Sequence, residues 1–175
     1  DWDGKLVNRP VQKSKLKAGQ ADKGNFNHFM QKEIFEQPQA IRDTLESRIT
    51  NDSVISSSFG HKADEIFRSI GQIQIVACGT SYNAGLVAKY WIEDIAKIPC
   101  NVEIASEYRY RRPILLDNTL FVTLSQSGET ADTLEALKTA KKISNNLKTL
   151  CISNSPESSL TRLSDLVFLT HAGPE

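Results

Sequence analysis

The sequence predicts an α/β protein: a parallel five-stranded sheet covered on both faces by helices, a three-layer αβα sandwich, with a helical lead-in before it. Three observations predict this. From Gln72 onward, short β-rich runs alternate with helical patterns. The runs are short and read as buried strands, which together with the alternation argues for a parallel sheet covered on both faces. Two of the strand-to-helix junctions are rich in Gly, Ser and Thr, as expected where a parallel sheet presents its ligand side.

The elements follow in order. Residues 1–24 are polar and locally basic (Lys5, Arg9, Lys13, Lys15, Lys17), broken by Pro10, Gly19 and Gly24, and read as a linker or the remnant of a preceding domain. Trp2 to Val7 could be a strand of that domain. Residues 25–63 form the helical lead-in. Phe26, Phe29, Met30 and Ile34 recur at helical spacing, Pro38 should stop that helix and open the next, and Ile41, Leu45 and Ile49 give a second stripe. Both stripes read as packing surfaces. Asn51 to Gly60 is a Ser-rich connection, and Ala63 to Ile70 a short helix. The sheet domain occupies 64–175. Its strands are expected at Ile73–Ala77, Asn101–Ala105, Leu120–Leu124, Lys148–Ser153 and Leu166–Thr170. The first is followed by a helix with Leu86, Val87, Tyr90, Trp91 and Ile95 on its apolar face. Ser106 to Arg112 is a loop or helical turn, Thr133 to Ile143 a helix, Asn154 to Pro156 a turn, and Ser158 to Leu163 a short helix.

Composition narrows the function classes. Lys plus Arg equals Asp plus Glu, 21 each, so charge gives no pull toward nucleic acid. The run Glu107-Tyr108-Arg109-Tyr110-Arg111-Arg112 interleaves aromatics with arginines, but in a net-neutral chain it reads as packing and ion pairs. No apolar run approaches the ~20 residues of a membrane helix. Cys78, Cys100 and Cys151 have no metal-ligand spacing, and they read as small buried residues of a reduced, cytoplasmic protein. His28, His61 and His171 are far apart and form no triad. The start has no initiator Met and the end follows directly on a strand pattern, so the sequence reads as a piece of a longer protein.

Two loops carry the chemistry. Ser125-Gln126-Ser127-Gly128-Glu129-Thr130 joins a strand to a helix. Short hydroxyls and free N–H groups at a helix N-terminus suit an anion such as phosphate. The loop has no Lys, which excludes a Walker-type nucleotide loop, and Gly-x-Gly-x-x-Gly is missing after every strand, which argues against a dinucleotide fold. Ser125, Ser127 and Thr130 can converge on one anion, and Gln126 adds an amide. Glu129 is what the helix dipole favours there and needs no catalytic role. The other loop, Cys78-Gly79-Thr80-Ser81, offers a Gly for close approach and two hydroxyls for a sugar or a phosphate; Ser81 could equally be a helix cap.

The runs Ala77 to Gly85, Val102 to Tyr110 and Leu124 to Thr133, with the lead-in His28 to Pro38, resemble the first sugar isomerase (SIS) domain of the glutamine–fructose-6-phosphate aminotransferase (isomerizing) family, the glucosamine-6-phosphate synthases. The resemblance spans about residues 20–175 and implies an SIS-type sandwich. It implies an enzyme in which a glutaminase half releases ammonia and an isomerase half of two SIS domains makes glucosamine 6-phosphate from fructose 6-phosphate. It implies that Ser125, Gln126, Ser127 and Thr130 bind the sugar phosphate, and that Cys78, Gly79, Thr80 and Ser81 contact the sugar. It also implies a homodimer and no metal or organic cofactor. The family's glutaminase cysteine and its isomerase lysine, glutamate and histidine have no counterpart here, so this chain by itself is expected to bind substrate weakly without turnover. The alternative is a sugar-phosphate sensor module of a regulator, for which residues 1–70 lack a recognition-helix pattern.

Overall fold

The computed structural model describes residues 22–173. The linker and strand readings for residues 1–24 therefore lie outside the described residues, except for 22–24.

Five parallel strands form one sheet: β1 (Gln72–Ala77), β2 (Cys100–Ile104), β3 (Thr119–Ser125), β4 (Lys148–Ser153) and β5 (Leu166–Leu169), in the order β2-β1-β3-β4-β5. Side chains alternate between the two faces, as the period-2 geometry of a strand demands. Val76, Phe121 and Cys151 enter one core, with Ala105 and Tyr108 of α4 (Ala105–Tyr110), Ala136, Leu137 and Ala140 of α5 (Ala131–Ile143), and Leu160 of α6 (Ser159–Leu163). Their neighbours Ile75, Leu120, Val122 and Leu150 enter the other, against Ala63 and Ile66 of α2 (Ala63–Ser69), with Ala88 of α3 (Gly79–Trp91) packed alongside. The five-stranded αβα sandwich is the architecture expected from the alternating runs, and element bounds move by one or two residues. Burial of the two cysteines in these cores pushes the Cys100 and Cys151 thiols up to about 11. Cys78, at the end of β1, is only half-buried and departs from the buried reading.

Three expectations are corrected. Pro38 does not end a helix: α1 runs unbroken from Phe29 to Leu45 with Pro38 inside it. The proline cannot donate to the carbonyl one turn back, but α1 buries no residue, so water can serve that carbonyl. Most of the two lead-in stripes is unpacked, although Phe26 stacks on Phe35 with ring centroids 5.7 Å apart. Met30 is 72% exposed, and Phe29, Ile34 and Ile41 are also exposed. Finally, α3 does not lie on the sheet by its large apolar residues. Leu86, Val87, Tyr90, Trp91 and Ile95 face outward, Trp91 at 65% exposure. Gly85 is buried instead, with Ala88 and Ile92 on the same side. A Cβ at Gly85 would sit 3.1 Å from both Ile75 and Val102, so the helix backbone comes down closely onto β1 and β2. Large side chains on that side would hold it off.

The Glu107–Arg112 run behaves as expected. Tyr108 is fully buried against Phe121 (ring centroids 5.3 Å apart), Arg109 pairs with Asp132 at 2.5 Å, and Arg111 pairs with Glu103 at 2.5 Å. The end of α1 and the residues just past it are pinned to β5 and the chain beyond it. Arg48 stacks over the Phe168 ring at 4.4 Å and donates to the Leu169 carbonyl, and the His171 N–H donates to the Thr44 hydroxyl at 2.9 Å. No helix among the described residues is long and apolar enough to cross a membrane.

Candidate functional site

The strand order reverses direction between β1 and β3. From β1 the chain moves out to β2, then crosses back to β3 and continues to β4 and β5. In open parallel sheets the crevice at the carboxyl ends of such a pair is where ligands bind. β1 ends at Ala77, paired with Leu124 of β3. The next residues on each strand are the two loops picked out in the sequence. Cys78–Ser81, which caps and opens the 13-residue helix α3, and Ser125–Thr130, which runs into the 13-residue helix α5, thus stand side by side.

The Ser125–Thr130 loop is braced from within and below. The Gly128 N–H donates to Ser125 Oγ at 3.0 Å, and Ser125 Oγ lies 3.0 Å from Thr130 Oγ1. With the Ser125 hydroxyl donating to Thr130, the Thr130 proton is free to turn to the crevice. The Glu129 N–H donates to Ser127 Oγ at 3.2 Å. Gln126 and Ser127 are exposed, Ser125 is buried and Thr130 half-buried, so the loop offers its side chains to solvent over a fixed base. Thr130 is also the N-cap position of α5, whose first N–H groups open toward the loop.

Beneath the loop, the Gln126 carbonyl accepts from the Asn154 N–H (3.1 Å) and the Ser153 hydroxyl (3.2 Å), and the Gly128 carbonyl accepts from the Leu160 N–H (3.1 Å). Gly128 is buried at φ 67°, and a Cβ there would run into the Ser158 side chain, with Ser153 Oγ at 2.9 Å. Only glycine meets both demands. The Glu129 carboxylate points away from the crevice and accepts from the Ser159 N–H at 2.6 Å. Hydrogen bonds from Ser159, with the charge of Arg162 adding to them, hold its carboxyl below the usual range. It ties the loop to the start of α6.

Cys78–Ser81, expected as a loop, is the start of α3: Cys78 is the cap residue, Gly79, Thr80 and Ser81 form the first turn, and the Tyr82 N–H donates to the Cys78 carbonyl at 3.3 Å. Gly79 takes φ 55°, with nothing within 4 Å of where its Cβ would be. Thr80 is exposed and Ser81 half-buried. Cys78 Sγ receives a long 4.0 Å contact from the Thr133 hydroxyl, which ties it to the first turn of α5. Ser81 is not the cap of α3, because Cys78 occupies that position. Next to Gln126, a cleft of about 430 Å³ opens between α1 and the chain after β5, lined by Ile41, Thr44, Leu45 and Thr170.

The structure therefore brings all eight candidates, Cys78, Gly79, Thr80, Ser81, Ser125, Gln126, Ser127 and Thr130, to one end of two neighbouring strands. Ser153 and Asn154, which brace the second loop, and Ser158, which packs against Gly128, were missed. Asn154-Ser155-Pro156 reads in sequence only as a turn, and nothing local signals that its N–H serves a loop 28 residues earlier. Donors of this neutral kind can bind and orient an anion, and the positive end of α5 favours one. No group of three or more His, Cys, Asp or Glu that could hold a metal occurs among the described residues.

Comparison with known proteins decides the family. The sequence model of the SIS domain matches residues 66–175. The chain belongs to the SIS domain family. It is 56% identical over 170 residues to a glutamine–fructose-6-phosphate aminotransferase [isomerizing] of Legionella pneumophila (strain Paris), covering 97% of this chain and 28% of that relative. It is 53% identical over its whole length to the enzyme of the same name from Haemophilus influenzae, again 28% of the relative. Among solved structures, it superposes on the C-terminal domain of glucosamine-fructose-6-phosphate aminotransferase from Francisella tularensis with a TM-score of 0.83 and 52% identity, covering 89% of this chain and 43% of that one. The chain spans little more than a quarter of the length of these aminotransferase relatives.

Proposed function

We propose that this SIS domain is the sugar-phosphate-binding part of the isomerase half of an enzyme that makes glucosamine 6-phosphate from fructose 6-phosphate and glutamine. Ser125, Gln126, Ser127 and Thr130 hold the phosphate, and Cys78, Gly79, Thr80 and Ser81 contact the sugar. The observation that carries this reading is the juxtaposition of the two loops at the β1/β3 crevice, with a braced hydroxyl-rich loop at the N-terminus of α5. The names of the aminotransferase relatives support the substrate class and reaction. They favour this reading over a regulator's sensor module.

The site works here by binding. A hexose 6-phosphate placed with its phosphate over Ser125–Thr130 would lay its sugar toward the Thr80 and Ser81 hydroxyls. The groups that open the ring and move the proton between C1 and C2 by acid–base steps lie, on this reading, outside residues 1–175. The parent enzyme works in the cytoplasm as a homodimer. The exposed apolar residues of α1 and α3, Met30, Ile34, Val87 and Trp91 among them, suit such association.

The test is a titration of the chain with fructose 6-phosphate and glucose 6-phosphate, followed by backbone amide resonances. Shifts confined to residues 78–81 and 125–131 are expected, with no interconversion of the two sugars. No shift at Ser125–Thr130 would remove the binding reading, and turnover by the isolated chain would remove the assignment of the chemistry to other segments.

A further inference from the structure

Asn154 stands where three strand ends meet. It follows β4, and its N–H donates to the Gln126 carbonyl beyond β3. Its side chain is held by the chain beyond β5: Oδ1 accepts from the Ala172 N–H at 2.9 Å and the Thr170 hydroxyl at 3.3 Å, and Nδ2 donates to the Gly173 carbonyl at 2.6 Å. A residue serving only a turn would need none of these contacts. Together they fix the direction of the Asn154 N–H, and with it the direction of the carbonyl that accepts from it.

That direction has a consequence in the loop. The peptide unit is planar and trans, so its N–H points opposite to its C=O. A Gln126 carbonyl drawn toward β4 by Asn154 and Ser153 sends the N–H of Ser127 away from β4, to the β1 side of the crevice where the Cys78–Ser81 loop begins. The neighbouring N–H groups of Gly128 and Glu129 are taken up by the Ser125 and Ser127 hydroxyls. The Ser127 N–H has no acceptor among the described residues. We infer that Asn154 is a positioning residue for phosphate recognition, aiming the Ser127 N–H at the anion by tying the Gln126 carbonyl to the end of β5. This rests on Ser125–Thr130 being the phosphate loop.

The experiment compares the wild-type chain with Asn154→Ala and the milder Ser153→Ala, using glucose 6-phosphate and inorganic phosphate as probes. Without ligand, Asn154→Ala is expected to lower hydrogen-exchange protection of the amide at position 154 and to move the Ser127 amide resonance, while the Gly79–Ser81 resonances stay in place. With ligand, the dissociation constants for both probes should rise about tenfold, the scale of one charge-assisted hydrogen bond. Ser153→Ala, acting on the same carbonyl, should give a smaller rise of the same sign, and it carries the test if Asn154→Ala does not fold. A purely structural role would lower the melting temperature and leave the affinity of the folded chain unchanged. That result, or an unmoved Ser127 resonance, overturns the inference alone. Failure of the wild-type chain to bind either probe overturns the phosphate-loop reading itself and this inference with it.

Discussion

The two loops at the β1/β3 crevice share a position in the fold and differ in how they are held. Ser125–Thr130 is fixed before any ligand arrives: Ser125 receives Gly128, Asn154 and Ser153 grip one carbonyl, Leu160 grips another, and Glu129 ties the far end to α6. Cys78–Ser81 is held by backbone bonds alone, as the first turn of α3 with the Tyr82 N–H on the Cys78 carbonyl; its glycine stands in open space and its side-chain contact through sulfur is long. The difference matches what each would bind on the proposed function. A phosphate is a compact, symmetric anion, best served by donors whose ordering cost was met on folding. A sugar presents several hydroxyls, and the side chains of Thr80 and Ser81, exposed and half-buried, are open to them.

This contrast is broken most directly at the glycines. Gly128→Ala should cost about 2–4 kcal/mol, from a forced positive φ together with a clash against Ser158 in a packed base. Gly79→Ala meets nothing within 4 Å and should cost only the backbone strain, about 1 kcal/mol. Chemical denaturation of both variants checks the pair, and equal losses would remove the distinction between a braced and an open loop. Next in size, Ser125→Ala strands the Gly128 N–H and takes the partner from Thr130. It should destabilise by about 1–2 kcal/mol and weaken glucose 6-phosphate binding by about tenfold or more. Thr80→Ala, on an exposed residue of the open loop, should leave stability within about 0.5 kcal/mol and act on sugar affinity alone.

How far the sequence speaks also divides along this line. The strands and the two loops were legible because apolar runs and Gly/Ser/Thr junctions are local signals. The bracing of the Ser125–Thr130 loop was not, because Ser153, Asn154 and Leu160 reach backbone carbonyls distant in sequence. Periodicity misled at α3, where the large apolar residues do mark a face, but the face turned outward. The sheet-facing side is carried by Gly85 and Ala88, whose smallness is the packing feature and whose hydropathy is unremarkable. Pro38 misled in the opposite way. A helix with one side in water tolerates a proline that a buried helix would not.

The smallest expected effect lies at Glu129, where the braced loop carries a carboxylate tie and Cys-Gly-Thr-Ser carries no carboxylate. Hydrogen bonds from Ser159 hold the folded carboxyl below its ordinary value of 4.5. A carboxylate depressed in the folded state contributes stability that is fully present above the unfolded value and is lost as pH falls through the folded one. Glu129→Gln keeps an oxygen to accept the Ser159 N–H and removes only the charge. The melting temperature of the wild-type chain should therefore exceed that of Glu129→Gln by a small constant margin above about pH 5, and the margin should shrink as pH falls below 4.5. Because the group is exposed, the margin should also narrow with added salt. A margin that persisted unchanged to pH 3 would mean that the shape of the side chain, rather than its charge, holds α6 to the loop.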